Sequence, residues 1–143
     1  MKVRQVSVFL ENKSGRLYEA CQCMADAQVN IRALSIAETA DYGVLRLIVS
    51  DPGKAMQVMS ENDFTVSETE VIAVEVPDEP GGLAAVLAPL HDANVNIEYI
   101  YCFVEKSGQS AIVVFRVEQL DQAIRALQGS GYTVLSEENV YRI

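Results

Sequence analysis

Two short polar loops hold the residues best placed to do chemistry. Gly15 and Gly81 each stand between a strand-like stretch and an apolar stretch with helical spacing. At such a junction the first N–H groups of the helix have no partner inside it. Together with the positive helix end they favour a carboxylate or other anion. Glycine also lets a ligand approach the backbone closely. Asn12 and Asp78 stand three residues before the glycines, with side-chain oxygens that can accept from an ammonium group. Eighteen residues after each comes a second asparagine, Asn30 or Asn96, inside Val-Asn-Ile. Donors for a carboxylate and acceptors for an amine together suit a zwitterion. A plainer role fits the same residues: Asn12 and Asp78 cap a helix and the glycines only turn the chain. The residues alone leave both readings open.

Other chemistries find less support. Nucleophilic catalysis needs Cys or Ser beside a general base, and the one histidine, His91, falls on a predicted helix without partners. Cys21 and Cys23 are two positions apart, about 200° on a helical wheel, so their sulfurs diverge. Structural zinc needs four converging ligands. The acidic residues are scattered, with no pair spaced as a carboxylate dyad or a magnesium site. No catalytic residue, metal or other cofactor is therefore expected.

The elements that position the loops occur twice. With Gly15 set over Gly81, an offset of 66, Leu17 meets Leu83 and Val29-Asn30-Ile31 meets Val95-Asn96-Ile97. Seven of the 21 positions from 12 to 32 are identical. After a two-residue insertion near Lys106 to Gly108 the offset becomes 68, and Val49 meets Val117, Ala55 meets Ala123 and Phe64 meets Tyr132. Two copies mark a duplicated domain and not a solenoid. In the first copy Gln5 to Leu10 alternates as a strand does. Leu17, Ala20, Cys21 and Met24 then share one buried helix face, as do Leu83, Val86, Leu87 and Leu90 in the second copy. Asn30 to Glu38 and Val44 to Ser50 read as strands joined at Asp41-Tyr42-Gly43. Asp51-Pro52 opens a helix with Pro in its first turn, and Phe64 to Thr69 closes the copy as a strand. The order is βαββαβ, an α+β class: antiparallel sheets with helices on one face, in two tandem ferredoxin-like units, 1–70 and 71–143. The joint falls near Glu70 without a Gly/Ser-rich linker. Pro89 should kink the second copy's first helix, because it lacks an N–H and its ring clashes.

Composition narrows the partners. Net charge is −9, with 10 acids and 7 bases up to residue 70 and 10 acids and 4 bases after it. Neither half has the basic excess that nucleic acid or an anionic membrane requires. Three cysteines do not make a disulfide framework. No signal-peptide pattern or membrane-length apolar run is present. A cytoplasmic protein is expected. Half the residues are hydrophobic, yet a 70-residue half alone would be marginal, so the halves should pack on each other or on a second chain.

The loops Glu11-Asn12-Lys13-Ser14-Gly15-Arg16-Leu17 and Asp78-Glu79-Pro80-Gly81-Gly82-Leu83, each followed by Val-Asn-Ile, resemble those of the ACT-domain family. These are small regulatory modules that bind amino acids. The family's loop reads Asn or Asp, any residue, Pro, Gly, any residue, Leu. The resemblance covers essentially the whole chain, twice. It implies side-by-side pairing of units into a larger sheet, with ligands at the seam between units. In the family's serine-regulated phosphoglycerate dehydrogenase modules, which are similar here, the loop Asn and the Asn of Val-Asn-Ile hold the effector. Carried over, the ligand-binding residues are Asn12, Ser14, Gly15, Arg16 and Leu17 with Asn30 and Ile31, and Asp78, Pro80, Gly81, Gly82 and Leu83 with Asn96 and Ile97. Ser14 departs from the family's Pro, and Asp78 stands where Asn is usual. The chain ends with its second copy, so a stand-alone allosteric module is expected. Its partners would be a free amino acid, a second copy in a homodimer, and an enzyme of amino-acid metabolism. The competing reading is a structural dimerisation or scaffold module with no ligand, still serving a partner enzyme. Tyr99, Tyr101 and Phe103 alternate on one strand where the first copy has Ala33, Ser35 and Ala37, and they are expected to pack at a unit interface.

Overall fold

The computed structural model describes residues 1–38, 41–104, 108 and 110–142. Two compact units emerge: Arg4–Thr69, the N-terminal unit, and Glu70–Ile143 with Met1–Val3, the C-terminal unit.

The N-terminal unit runs β1 (Val3–Glu11), α1 (Arg16–Asp26), β2 (Ile31–Glu38), β3 (Tyr42–Val49), α2 (Pro52–Glu61) and the start of β4 (Thr65–Pro77). Its strand order is β2-β3-β1-β4, and β3 is antiparallel to both β1 and β2. Alternation puts Val6, Val8, Leu10, Leu45, Leu47 and Val49 on one face of the sheet, where they form a core with Ala20 and Met24 of α1 and Ala55 and Met59 of α2. The expected Asp51-Pro52 start of α2 is present: Pro52 is the first helical residue and the Asp51 carboxylate accepts from the Lys54 N–H (3.1 Å). That bond satisfies one of the helix's orphan donors.

The C-terminal unit takes the rest of β4, then α3 (Gly82–Asp92), β5 (Ile97–Cys102), β6 (Ser110–Val117), α4 (Leu120–Gly129) and α5 (Glu137–Arg142). Ile72, Val74, Val76, Val113, Phe115 and Val117 build its core with Val86, Leu90, Ala123 and Leu127. The frame is thus the expected ferredoxin-like pattern, written twice.

Several local readings differ from the sequence expectation. The closing strand of the second copy contracts to one bridge, Val134 to Val74, and α5 follows with Val140 fully buried. Tyr42 and Gly43 belong to β3 and not to a turn, because Glu11 and Leu10 pair with them. The joint at Glu70 lies inside β4, an unbroken strand. The helix α3 continues through Pro89 to Asp92. Pro89 is late in that helix, where its missing N–H removes a single bond. The insertion near Lys106 to Gly108 falls mostly outside the described residues.

The duplication extends to backbone detail. The Val29 N–H donates to the Met24 carbonyl (2.9 Å) and the Gln28 N–H to the Ala25 carbonyl (2.9 Å), with Gln28 left-handed at φ 61°. Val95, Asn94 (φ 56°) and the Leu90 and His91 carbonyls repeat this stop at the end of α3. Both are Schellman stops, which satisfy the last helical carbonyls. A register shift then follows in each copy, between Ile31 and Ala33 and between Ile97 and Tyr99.

Candidate functional site

Each loop opens its helix in the same way. Gly15 (φ 90°) and Gly81 (φ 81°) hold the left-handed N-cap positions of α1 and α3 and bring no capping side chain. Before them the Lys13 and Glu79 N–H groups donate back to Glu11 and Pro77, at 2.8 and 3.0 Å. After them the Glu19 and Ala85 N–H groups donate to the glycine carbonyls, both at 2.9 Å. Between these anchors the Arg16 and Gly82 N–H groups donate to the Lys13 and Glu79 carbonyls, at 3.4 and 3.0 Å, and the next amides of the first turn have no acceptor within the helix itself. Asn12, Ser14, Asp78 and Pro80 lie exposed on the two loops.

Leu17 and Leu83 are 41% and 40% exposed, not on the buried helix face; Ala20 and Met24, and Val86 and Leu90, fill it. A helical side chain covers the turn behind its own Cα, so a first-turn leucine overhangs the loop.

The two loops differ at their last residue before the leucine. A Cβ on Gly82 would run into the Pro77 carbonyl oxygen, so this loop requires glycine. Its counterpart Arg16 carries a guanidinium 4.3 Å above the Phe64 ring and paired with Glu19 at 2.7 Å. Arg16 lines two open hollows. One, of about 370 Å³, is lined also by Phe9, Leu10, Glu11, Tyr42, Asp63 and Thr65. The other, of about 330 Å³, lies against α1 and Asn62. Lys13 hydrogen-bonds Glu11 at 2.7 Å, and that bond and its charge hold the Glu11 carboxyl below the usual carboxylate range.

The sequence reading missed Phe9, Tyr42 and Asp63. The signal for Asp63 was its alignment with Gly131: both are left-handed, at φ 67° and 86°. At the matching positions the C-terminal unit has Glu75, Val76, Pro77, Gly82, Ser110, Gly131 and Thr133. Phe9, Tyr42 and Asp63 of the larger hollow thus have no like residue at the matching C-terminal positions.

Asn30 and Asn96 sit immediately before β2 and β5, followed by the half-buried Ile31 and Ile97. The Asn30 carbonyl accepts from the Ser50 N–H (2.9 Å) and the Asn96 carbonyl from the Glu118 N–H (3.2 Å). The Asn96 side chain donates to Glu118 Oε1 at 2.7 Å. Within a unit these asparagines do not meet the loop. Asn12 abuts the start of β3 through Asp41, and Asn30 abuts its end through Ser50. From Tyr42 to Val49 is on the order of 23 Å at about 3.3 Å per residue. Asp78 and Asn96 are divided in the same way along β6, since Pro77 pairs with Ser110 and Ile97 with Val117.

Tyr101 and Phe103 are buried, and the Tyr99 and Tyr101 rings stack with centroids 6.4 Å apart. His91 is exposed. Burial pushes the Cys21 and Cys23 thiols up. Among the described residues no group of three or more His, Cys, Asp or Glu is placed to hold a metal ion. No described helix is long and apolar enough to cross a membrane.

A duplicated ferredoxin-like module with a glycine loop opening the first helix of each copy is the class this fold and site define. The chain belongs to the ACT domain pair family, whose model matches residues 1–143, and is thus a regulatory small-molecule-binding module. It is similar to protein BT0572 from Bacteroides thetaiotaomicron, at 41% identity and TM-score 0.94 over 100% of this chain and 98% of that one. It shares its fold with the ligand-free regulatory subunit of aspartate kinase from Thermus thermophilus (15% identity, TM-score 0.63, 90% and 92% covered). The same holds for Escherichia coli aspartokinase III in complex with aspartate and ADP (16% identity, TM-score 0.55, 91% and 32% covered). No curated protein matches the chain.

Proposed function

We propose that the protein is a non-catalytic amino-acid sensor that regulates a separate enzyme of amino-acid metabolism. The observation that carries this reading is the loop built twice on one backbone, Gly15 and Gly81 each opening a helix from the left-handed region. Such a helix start receives the ligand's carboxylate, and the Val-Asn-Ile asparagine receives its amine. Since Asn12 and Asn30 stand at opposite ends of β3, one ligand meets both kinds of residue only where the loop of one unit faces the asparagine of another. The seam between ACT-like units, 1–70 or 71–143, is therefore the proposed site, and the working form is a cytoplasmic homodimer with side-by-side sheets. Regulatory subunits of aspartate kinase share the fold, which supports a partner enzyme of amino-acid metabolism. Coupling follows if the ligand binds one arrangement of units more tightly than another.

Thermal-shift screening of the twenty standard amino acids at millimolar level tests the reading. One or a few raise the melting temperature, and alanine at Asn30 and Asn96 abolishes the rise. Failure of every amino acid to stabilise the protein contradicts it.

A further inference from the structure

The larger hollow of the N-terminal unit is lined by none of Asn12, Gly15 and Asn30. Its floor follows from strand register. Across the antiparallel β1–β3 pair Glu11 stands opposite Tyr42 and Phe9 opposite Val44. Phe9, Glu11 and Tyr42 therefore share one face of the sheet, with Phe9 and Tyr42 diagonal neighbours about 7–8 Å apart. Both rings are left open, 43% and 51% exposed, and neither joins the unit's core. Asp63 and Thr65 close the hollow at the start of β4. Of its charged side chains, Glu11 is answered by Lys13 and Arg16 by Glu19, each at 2.7 Å. Among the described residues the Asp63 carboxylate takes part in no hydrogen bond or ion pair. It stands on a left-handed backbone that favours glycine, and Gly131 holds that position in the second copy. The C-terminal unit builds the same frame with Glu75, Ser110 and Gly131 in place of Phe9, Tyr42 and Asp63, so the fold does not require these three side chains.

We infer that this hollow binds an organic cation: an alkyl chain ending in a primary ammonium or guanidinium, its head against the Asp63 carboxylate and the Phe9 and Tyr42 rings. An unmatched carboxylate offers a cation a charge-assisted hydrogen bond, roughly twice as strong as a neutral one. The open ring faces attract positive charge as well. An anion meets Asp63 as a like charge, and an uncharged chain leaves that carboxylate without a partner. The chain's net charge of −9 draws cations toward the surface. A volume of about 370 Å³ is at the small end of ligand pockets, which suits a short chain. The site lies within one unit and needs no second one. Two sources share this chemistry, a free amine and the side chain of a basic amino acid. In the second case the hollow sets the selectivity of the proposed sensor and rests on that reading.

Calorimetry tests the site. Agmatine and cadaverine stand for the free amine, L-arginine and L-lysine for the basic amino acid, and L-norleucine for an uncharged chain. At least one of these cations binds at millimolar level or better, and norleucine does not. Asp63→Asn raises its dissociation constant about tenfold, since the charge on the hydrogen bond is lost. Tyr42→Ser weakens binding too. Circular dichroism melts accompany each variant, and if Asp63→Asn fails to fold, Asp63→Gly suits the left-handed backbone and carries the same comparison. Binding of agmatine or cadaverine assigns a free amine, and binding of the amino acids alone assigns their side chain. Failure of every cation, equal binding of norleucine, or cation binding indifferent to the Asp63 and Tyr42 changes overturns the site. Failure of every cation while a neutral amino acid stabilises the protein sinks this site and not the sensor. Agmatine binding without any amino acid binding sinks the sensor and not this site.

Discussion

Asn12 and Asn30 abut opposite ends of one strand: the Asn12 N–H donates to the Asp41 carbonyl and the Asn30 carbonyl accepts from the Ser50 N–H, each at 2.9 Å. That relationship turns a sequence motif into a statement about assembly. On the proposed reading, a unit that keeps its loop and its asparagine a strand's length apart would need another unit to complete the ligand site.

The two glycines of the C-terminal loop are not equivalent, because only Gly82 is sterically closed to a side chain. Gly82→Ala drives a methyl into the Pro77 carbonyl and lowers stability by about 2–3 kcal/mol. Gly81→Ala meets open space and suffers only its left-handed backbone, about 1 kcal/mol. Urea melts of the two variants check the order; equal losses would mean that the loop moves aside to admit a Cβ.

Arg16 serves the fold through its plane as well as its charge. Arg16→Ala should cost about 1 kcal/mol, mainly the stack on Phe64, because the Glu19 pair is largely solvated. Arg16→Lys keeps the charge but not the planar guanidinium, and so recovers less than half of the loss. Chemical denaturation of both variants decides; full recovery by lysine would assign the effect to charge alone.

Burial holds Cys21 and Cys23 protonated above the usual thiol range, with Asp26 and Glu61 adding to the effect at Cys23, while Cys102 is exposed. With iodoacetamide at pH 8, mass mapping should show Cys102 modified first. The linkage runs the same way. The folded state keeps protons that the unfolded state releases above about pH 8.5, so these two thiols make stability fall as pH rises past that value. Cys21→Ala with Cys23→Ala should flatten the alkaline limb of the stability curve.

What the sequence disclosed was mostly local or repeated. The offset between Gly15 and Gly81 exposed the duplication, and Asp51-Pro52 marked a helix start, because turn and cap chemistry is written in a few adjacent residues. Leu17 carried the right spacing for a buried face, but first-turn geometry sends it over the loop. The six residues of α5 are too few for a periodic signal, and a helix that short forms only where it packs. Phe9, Tyr42 and Asp63 meet through three separate elements, a relation that no spacing within one element records. The position of Asn30 relative to Asn12 had the same cause. Both residues were visible, but strand order alone puts β3 between them, with one at each end.

Subunit complementation tests the central claim most directly. In an Asn96→Ala background, Asn12→Ala and Asn30→Ala chains are each titrated by calorimetry with the amino acid found by screening, then unfolded, mixed in equal amounts, refolded and titrated again. Each alone should fail to bind. If the loop of one chain and the asparagine of another share a ligand, half the dimers are mixed and each regains one intact site, so about a quarter of the parent sites return. No recovery on mixing, or binding by either variant alone, would contradict a site shared between chains.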